Sequence, residues 1–445
     1  MLGLNYVPAA DALVALTGDG HLYALDRGTG APLLAAPFLL PGSPTPTAPS
    51  SLPPAIVAAA DAEFRTLVNV PPGSLPLFTA ALLGNGVRVA NMFAVDPASS
   101  QLWVAATAPD AEDGSPDGVS TLGALFRLGL VAGTAGYQIQ EVCHRSFTGG
   151  SASTPTVAAD GSRVYMGDNT TRLLAIDADC ADAWSVDVGS QIFGSVSASS
   201  DNREIYTSTA LGITKVRDQG ASGEIVWTAN LDVFDLAPGQ QNLNMNLVAT
   251  AANGLAFQAG AGQVLSGVAL PSIVGTGVLD RETGAVRHFV GGGEETVAVM
   301  STGPDGDLYI GNSPVRRIFA RVLGLSTAPL SGGITKFASA DPRRLMRDAA
   351  CAAAARARNA AAQTACDDGI RADVGQVGHL IDQIRQTAPA AVAAGDLSDT
   401  QWGRLDRRLT RAAPFLASAA ADPTATRDLK RAASRIDRVC RKLSP

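Results

Sequence analysis

Several features that mark particular classes of protein are missing from this sequence. No run of 18 apolar residues occurs, so no membrane-spanning helix is expected; the nearest candidate, residues 122–133, is interrupted by Arg127. The chain starts without a basic segment, a continuous apolar segment or a cleavage site, so these residues do not form a signal peptide. The five cysteines include no CxxC or CxxCH, which argues against a metal site, a thioredoxin-like centre and an attached haem.

Motifs for catalysis and cofactor binding are also missing. No GxSxG elbow occurs, and the stretch at 260–267 lacks the GxGxxG spacing of a dinucleotide site. The acidic loop at 109–118 has Ser115 and Thr121 where a calcium-binding EF-hand loop needs Gly and Glu, so we interpret it as a solvated loop. The four histidines are scattered without ligand spacing. We therefore predict no catalytic residue, no metal ligand, no cofactor-binding residue and no cofactor.

The composition is that of a folded, turn-rich chain of two or three domains, with 46 Gly in 445 residues and 17% charged residues. Charge is unevenly distributed. Residues 341–445 carry 18 Lys and Arg against 12 Asp and no Glu, whereas residues 1–340 carry 16 basic residues against 29 acidic ones. Because the arginines of the basic part are interleaved with Asp and Ala, we interpret them as solvated helix faces or as attraction between domains, and we expect no nucleic-acid partner.

A strand–turn–strand pattern recurs over about the first three quarters of the chain, as in RVYMGDNTTRLLAID at 163–177. Successive units lie 41 to 89 residues apart, and the widest gap leaves room for one hidden unit near 53–70. A four-stranded propeller blade takes about 40–50 residues. The pattern therefore predicts a mainly β fold over residues 1–338, a β-propeller of about seven four-stranded blades. The apolar residues of this region are interpreted as lacking helical periodicity. The markers used are Val14, Trp103, Tyr165, Tyr206, Phe257 and Tyr309.

Residues 339–445 have a different pattern, rich in Ala and Arg, which predicts a small α-helical bundle. Ser339 or Asp341 can cap the first helix, with Pro342 in its first turn. Gly369 and the following residues are expected to interrupt the first helical stretch. Leu429, Ala433, Ile436 and Cys440 recur at helical spacing near the end. We predict about four helices joined by short connections.

Three corners of the repeat share a sequence idiom, ALDRGTG at 24–30, AIDADC at 175–180 and VLDRETG at 278–284. Asp and Thr can bond backbone amides in such a turn, and Gly can take a positive φ. With Trp184 and Trp227 on the strands that follow, these repeats resemble the pyrroloquinoline-quinone-type (quinoprotein-like) β-propeller family. The resemblance implies structural roles in the repeat turns for Asp26, Thr29, Gly30, Asp177, Asp280, Thr283 and Gly284.

The resemblance also implies what an active member would contain. Quinone dehydrogenases of this type carry a vicinal Cys–Cys pair beside the cofactor and bind calcium through carboxylates and an Asn. This chain has no vicinal pair, and no matching set of calcium ligands can be assigned residue by residue. The sequence therefore resembles a non-catalytic member of the family.

The cysteine count is odd, so at least one thiol remains unpaired. Cys143 is a candidate partner of Cys180, and Cys440 of either Cys351 or Cys366, so that a disulfide ties the last helix to the first; Cys366 is our candidate. These cysteines and the family resemblance favour a periplasmic or extracellular location. Because LNYVPAADALVALT at 4–17 reads as the interior of a blade, Met1 is not expected to be the natural start.

The function predicted from these observations is that of a non-enzymatic binding or scaffold protein, exported or associated with a bacterial envelope. A partner protein or a small ligand is expected at the mouth of the propeller, and the chain is expected to be a monomer with no membrane span. The alternative is a propeller enzyme, either a quinone-dependent dehydrogenase or a metal-dependent hydrolase of the gluconolactonase type. A third hypothesis gives the helical region its own role in docking to an envelope or a nucleic acid.

Overall fold

The protein forms two compact units, residues 1–337 and 338–445. We describe them from a computed structural model. No helix of the described residues is long and apolar enough to cross a membrane. The structure describes residues 2–48, 52–82, 84–134, 136–150, 153–192, 194–201, 203–209, 212–251, 254–265, 268–292, 294–295, 300–302, 308–330, 332–337, 342–362, 367–422 and 426–443.

The described part of the first unit contains six antiparallel sheets in which each strand pairs with the next along the chain. Five sheets have four strands and the sixth has three. Sheet one is β1 (Gly3–Val7), β2 (Ala12–Leu16), β3 (His21–Asp26) and β4 (Phe38–Leu39); sheet two is β5 (Phe93–Val95), β6 (Leu102–Thr107), β7 (Gly123–Gly133) and β8 (Gly136–Phe147); sheet three is β9 (Thr156–Val157), β10 (Arg163–Gly167), β11 (Arg172–Asp177) and β12 (Asp182–Asp187). Sheet four is β13 (Ser197–Ala198), β14 (Glu204–Thr209), β15 (Gly212–Asp218) and β16 (Gly223–Ala229); sheet five is β17 (Gln241–Ala251), β18 (Gly254–Leu265), β19 (Val268–Leu279) and β20 (Val286–Gly291); sheet six is β21 (Met300–Thr302), β22 (Leu308–Gly311) and β23 (Ile334–Phe337).

The sheets pack face to face in chain order, which makes them the blades of a β-propeller. The first strands of consecutive blades contact each other, from β1 and β5 through to β17 and β21. Large apolar side chains fill the gaps between blades that follow each other in the chain. Phe126 of blade two packs against Leu22 of blade one, and Phe257 of blade five against Ile213 of blade four. A β-propeller of four-stranded blades followed by a helical region is thus confirmed, but the described residues contain six blades rather than about seven.

The hidden blade predicted near residues 53–70 is wrong, because helix α1 (Pro54–Leu67) occupies that stretch and helix α2 (Ser74–Leu82) follows it. The run PAIVAAADAEFRTL is rich in Ala, and Ile56, Ala60 and Phe64 recur every four residues on one buried side. A spacing of four residues places these side chains on one side only in a helix. The sequence-based prediction treated the same residues as short apolar runs of strands.

A third helix, α3 (Val315–Val322), lies in blade six between β22 and β23, where a strand was expected. Val315, Ile318 and Phe319 of α3 are buried at helical spacing. Helix α1 packs against α3, and the Arg321 Nε lies 2.6 Å from Glu63 Oε1. The helices inserted after blade one therefore contact blade six.

The second unit is a bundle whose described residues form five helices rather than about four: α4 (Pro342–Ala362), α5 (Asp367–Ala393), α6 (Asp399–Thr410), α7 (Ala413–Ala421) and α8 (Thr426–Leu443). The break expected at Gly369 is absent, and α5 continues through it. Val374, Val377, Ile381 and Ile384 lie buried along α5, and this packing outweighs the low helix propensity of glycine. The bundle core also contains Leu405, Leu409, Leu429 and Ile436.

Candidate functional site

The predicted Asp-x-x-Thr-Gly turns form local hydrogen-bonded corners between the third and fourth strands of a blade. In blade one, Asp26 Oδ1 accepts hydrogen bonds from the Thr29 backbone N–H at 2.8 Å and the Thr29 hydroxyl at 2.7 Å, and Gly30 has a φ of 72°. Gly30 N–H also donates to the Asp26 carbonyl at 2.8 Å. These contacts lie within one corner and close it.

The corner of blade five has the same geometry. Asp280 Oδ1 accepts hydrogen bonds from the backbone N–H groups of Glu282 and Thr283, both at 2.8 Å, and Gly284 has a φ of 72°. The Thr283 amide and the Arg287 guanidinium lower the pKa of Asp280 to about 2. The corner of blade three is shorter by one residue: Cys180 takes the left-handed conformation with a φ of 67° and donates its N–H to the Asp177 carbonyl at 2.9 Å.

A disulfide connects the second and third blades. Cys143 of β8 and Cys180 of the corner after β11 are joined with an S–S distance of 2.04 Å. In the second unit Cys351 of α4 is joined to Cys440 of α8. The structure therefore pairs Cys440 with Cys351 and not with Cys366, our sequence-based candidate, which lies outside the described residues. Within α4, Cys351 lies on the side that faces α8.

The interface between blades three and four is held by one buried carboxylate. Asp218 of β15 accepts hydrogen bonds from the Tyr165 hydroxyl at 2.7 Å and the Trp184 indole N–H at 3.0 Å, both from blade three. Arg163 Nη1 donates to the two Asp218 oxygens at 2.9 and 2.8 Å. Burial opposes the ionisation of Asp218, but the bonds from Tyr165 and Arg163 outweigh it and hold the pKa below its ordinary value.

The interface between blades four and five uses a network of opposite charge. Lys215 of β15 is completely buried; its Nζ lies 2.6 Å from Glu204 Oε1 and donates to the Arg281 carbonyl of blade five at 2.8 Å. Arg281 in turn donates from Nη2 to Glu204 Oε2 at 2.6 Å, and the Trp227 indole N–H donates to the Arg281 carbonyl at 3.2 Å.

Two further contacts complete the network around Glu204. Tyr206 donates its hydroxyl to Glu204 Oε2 at 2.5 Å, and Arg281 Nε donates to the same hydroxyl at 3.1 Å. Burial opposes the ionisation of Glu204, but hydrogen bonds from Lys215, Tyr206 and Arg281 lower its pKa to about 2. Glu204 therefore stays ionised between two cations throughout the physiological range.

Cys143, Trp184 and Trp227 occupy one structural position in three consecutive blades. Each lies on the fourth strand opposite a third-strand residue that precedes a bulge, and those partners are Arg127, Ala175 and Lys215. Each reaches the corner of the next blade, Cys143 through the disulfide and the two tryptophans through indole N–H groups. Arg127 also donates to a backbone carbonyl of the next corner, that of Ala178, as Lys215 does to the Arg281 carbonyl two interfaces further on. We call these three sets of contacts the blade clasps.

The sequence predicts a functional site at the propeller axis without naming residues there. In the structure, polar groups of the first strands form hydrogen bonds between blades at this axis. Asn5 Nδ2 donates to the Phe93 carbonyl at 2.7 Å, and Ser197 Oγ lies 3.1 Å from Thr250 Oγ1. These contacts link neighbouring blades around the axis. Within the described ranges there is no group of three or more His, Cys, Asp or Glu side chains arranged to hold a metal ion.

Blade one exposes an apolar sheet face. Leu4, Tyr6, Tyr23 and Leu39 are 51%, 44%, 39% and 43% exposed, and the strand register places all four on the same side of the sheet. The opposite side, with Val14, carries the core shared with blade two. We call the exposed side the outer face of blade one. Exposed aromatic and leucine side chains gathered on one surface mark an interaction site more often than scattered ones do.

The chain matches no protein-family model and no curated protein. Among solved structures, it is similar to BamB from Moraxella catarrhalis, with 14% identity and a TM-score of 0.37 over 70% of this chain and 79% of that chain. It is also similar to Sqt1 from Saccharomyces cerevisiae, with 11% identity and a TM-score of 0.45 over 70% of this chain and 68% of that chain. At these scores the alignments add nothing to what the blades themselves show.

Sequence reasoning missed the residues that make the outer face of blade one. The sequence predicted that residues 4–17 lie in the interior of a blade and did not single out Leu4 or Tyr6 of β1, both of which are exposed. The signal that could have found them is the register with the next strands. Leu4 faces Ala15, which faces Tyr23, so large apolar side chains flank a small one on a single face.

Proposed function

We propose that this chain is a non-enzymatic binding protein in which the β-propeller is a rigid frame for a protein partner. The observation that carries the proposal is the outer face of blade one, where four large apolar side chains lie exposed on one side of a sheet. Exposed tyrosine side chains are typical anchors of protein interfaces, and here Leu4 and Leu39 add apolar surface beside two of them.

The blade clasps support the frame in this proposal. A disulfide, a buried carboxylate and a buried lysine join blades two to five in series. Buried polar groups with satisfied partners fix one arrangement, because any shift between blades would leave a charge unpaired. A partner therefore meets a preformed surface and binding orders little of the propeller itself.

The remaining elements of the proposal follow from the disulfides and the repeats. Two disulfides favour an oxidising compartment, so we place the protein in the periplasm or outside the cell. The repeat corners support membership of the quinoprotein-like family as a non-catalytic member without a cofactor. The chain is proposed to act as a monomer at its partner.

The test is quantitative cross-linking of the tagged full chain in its native cells, followed by mass spectrometry. The double variant Leu4→Asp/Tyr23→Asp places two charges on the outer face of blade one. We expect the main cross-linked protein to fall at least tenfold, because a charged residue desolvated at an interface has no partner. The matched control is Ile225→Asp/Val290→Asp, which charges two similarly exposed apolar positions on the fourth strands of blades four and five.

Equal loss in both variants would contradict the proposed surface. Oxidation of alcohols or sugars by the purified chain on adding the quinone and calcium would contradict the non-enzymatic assignment. Unchanged thermal unfolding of the variants shows that the frame is intact.

A further inference from the structure

Six arginine side chains line one groove in the helical unit. The groove has a volume of about 360 Å³. It lies between α8 on one side and α6, together with the residue that follows α6, on the other. It is lined by Arg404, Arg407, Arg408, Arg411, Arg435 and Arg438. We call it the arginine groove.

These six arginines have no carboxylate within ion-pair distance among the described residues. Elsewhere in the unit Arg356 pairs with Asp373, and Arg358 with Asp437. In the groove, by contrast, Arg438 Nε donates to the Ser434 carbonyl at 3.2 Å, which is a neutral acceptor.

The acidic residues nearest in sequence to the groove are engaged by arginines outside it. Asp406 of α6 lies 3.0 Å from Arg385 Nε, and Asp437 of α8 lies 3.0 Å from Arg441 Nη2 as well as from Arg358. Asp428 of α8 pairs with Arg431 at 3.4 Å. The carboxylates of these two helices are therefore engaged outside the groove, whereas the six arginines that line it form no ion pair with them.

Helix geometry explains why the arginines of α6 converge. Arg404, Arg408 and Arg411 recur at spacings of four and three residues, so they project along one side of the helix, while Leu405 and Leu409 on the other side are buried in the bundle core. Attraction to the helix C-terminus accounts for cations in the last turn of α6, but not for Arg404 in its first half or for Arg435 in the middle of α8.

We propose that the arginine groove binds a compact ligand that carries two or more closely spaced phosphate groups. Each guanidinium offers a planar fork of donors that matches a phosphate, and several forks around one concavity favour a ligand with clustered negative charge. The groove volume lies at the lower end of the range for small-molecule sites. None of its lining residues is aromatic, and the neighbouring Phe415 ring is covered by the Arg435 guanidinium 4.9 Å from its centroid, so the phosphates and not a nucleobase are recognised.

The phosphates could belong to a free metabolite or to a lipid headgroup, and the two sources share the chemistry of the groove. The experiment uses the full chain and three probes at constant ionic strength: inorganic tripolyphosphate, vesicles containing an anionic phospholipid, and a duplex DNA. Binding is measured by calorimetry for tripolyphosphate and by co-sedimentation for vesicles. Because charge–charge attraction is screened by salt, affinity is expected to fall as salt rises.

The test variant is Arg407→Gln/Arg411→Gln, which removes two exposed groove arginines. The matched control is Arg356→Gln/Arg441→Gln, which removes the same charge from exposed arginines of the same unit that are already ion-paired. We expect tripolyphosphate affinity to fall at least tenfold in the test variant and less than twofold in the control. The same pattern with vesicles and no tripolyphosphate binding assigns the phosphates to a lipid and supports the groove.

Three results would overturn the proposal. Equal losses in the two variants would show that only the net charge of the unit matters. No binding of tripolyphosphate or vesicles to the wild-type chain at millimolar phosphate would leave the groove without this ligand. Binding to DNA tighter than to either probe, lost in the test variant, would show that the groove follows a nucleic-acid backbone instead.

Discussion

The interface between blades three and four and the interface between blades four and five use the same positions with opposite charges. In the first, Arg163 on the second strand meets Asp218 near the corner of the next blade. In the second, Glu204 on the second strand meets Arg281 at the corner of the next blade. A tyrosine and a tryptophan accompany the pair in both.

The difference between the two interfaces lies in how the indole and the cation are satisfied. At the first interface Trp184 donates to a charged carboxylate, and at the second Trp227 donates to a neutral backbone carbonyl shared with Lys215. The position is therefore defined by its geometry, and the polar groups can vary as long as every buried donor and charge finds a partner.

Removing the carboxylate of the second interface should have the largest effect. Glu204→Ala removes the carboxylate 2.6 Å from the fully buried Lys215 and leaves Lys215 only Glu282, an exposed carboxylate at 3.8 Å; breaking such a buried pair costs about 3–5 kcal/mol. We expect the free energy of unfolding in urea, followed by tryptophan fluorescence, to fall by that amount. Glu224→Ala removes an exposed carboxylate 3.8 Å from Arg217 and should change it by less than about 1 kcal/mol.

The counterpart at the first interface is Asp218→Ala, which should cost about as much because Arg163, Tyr165 and Trp184 lose their common acceptor. A loss below about 1 kcal/mol at one interface only would contradict the equivalence of the two.

The disulfide between blades two and three should rank next. Cys143→Ser/Cys180→Ser opens a loop with a sequence separation of 37 and is expected to cost about 2–4 kcal/mol, mainly by freeing the unfolded chain. Thermal unfolding of this variant in oxidising buffer isolates the propeller bridge, because the second disulfide, between Cys351 and Cys440, remains. An unchanged midpoint would show that the covalent clasp adds nothing to the packing around it.

Acid should weaken the second interface through Glu204. Its pKa is about 2 in the folded protein against 4.5 for an unperturbed glutamate, so its contribution is present above pH 4.5 and is lost as the pH falls towards 2. For this residue we expect a loss of about 2 kcal/mol between pH 6 and pH 3. Urea unfolding at both pH values should show a smaller pH dependence for Glu204→Gln, and an identical dependence would contradict the assignment.

The smallest effect should separate the two indole bonds. Trp184→Phe removes a donor to a carboxylate and is expected to cost about 2 kcal/mol, whereas Trp227→Phe removes a donor to a carbonyl that Lys215 still satisfies and should cost about 1 kcal/mol. Chemical unfolding followed by circular dichroism measures both, since the fluorescent residue itself is changed. The reverse order would show that ring packing, and not the acceptor, decides the difference.

The repeat itself could be predicted from the sequence because blades have turn residues and apolar runs at regular spacing. Trp103, Tyr165 and Tyr206 do occupy equivalent positions, each opposite a residue that precedes a bulge. In blade five the equivalent residue is Ala256 and not Phe257, because Val278 before the bulge faces Ala256. A shift of one residue turns a side chain to the other face, and sequence spacing alone cannot detect it.

The helices of the propeller unit were harder to predict for a different reason. Helix α3 has only eight residues, and the apolar residues of α1 include the short run AIVAAA; runs of this length are compatible with either a buried strand or a helix. What decides between them is the surface on which they pack, here one helix against the other with Ala60 and Ile318 in a common core. The arginine groove could not be predicted from the sequence either, because it is formed only by the tertiary structure. Its arginines come from two helices, and which carboxylates they lack becomes clear only when the bundle is assembled.

The opposite charge pairs in the second and third blade clasps have a consequence for assembly during folding. Blades of similar shape can associate in the wrong order or with a blade of a second chain. If blade three met blade five directly, Arg163 would face Arg281, and if blade four met another blade four, Glu204 would face Asp218. Both errors place like charges together in a closing interface. The opposite charge pairs of the second and third clasps therefore disfavour these two wrong pairings of blades.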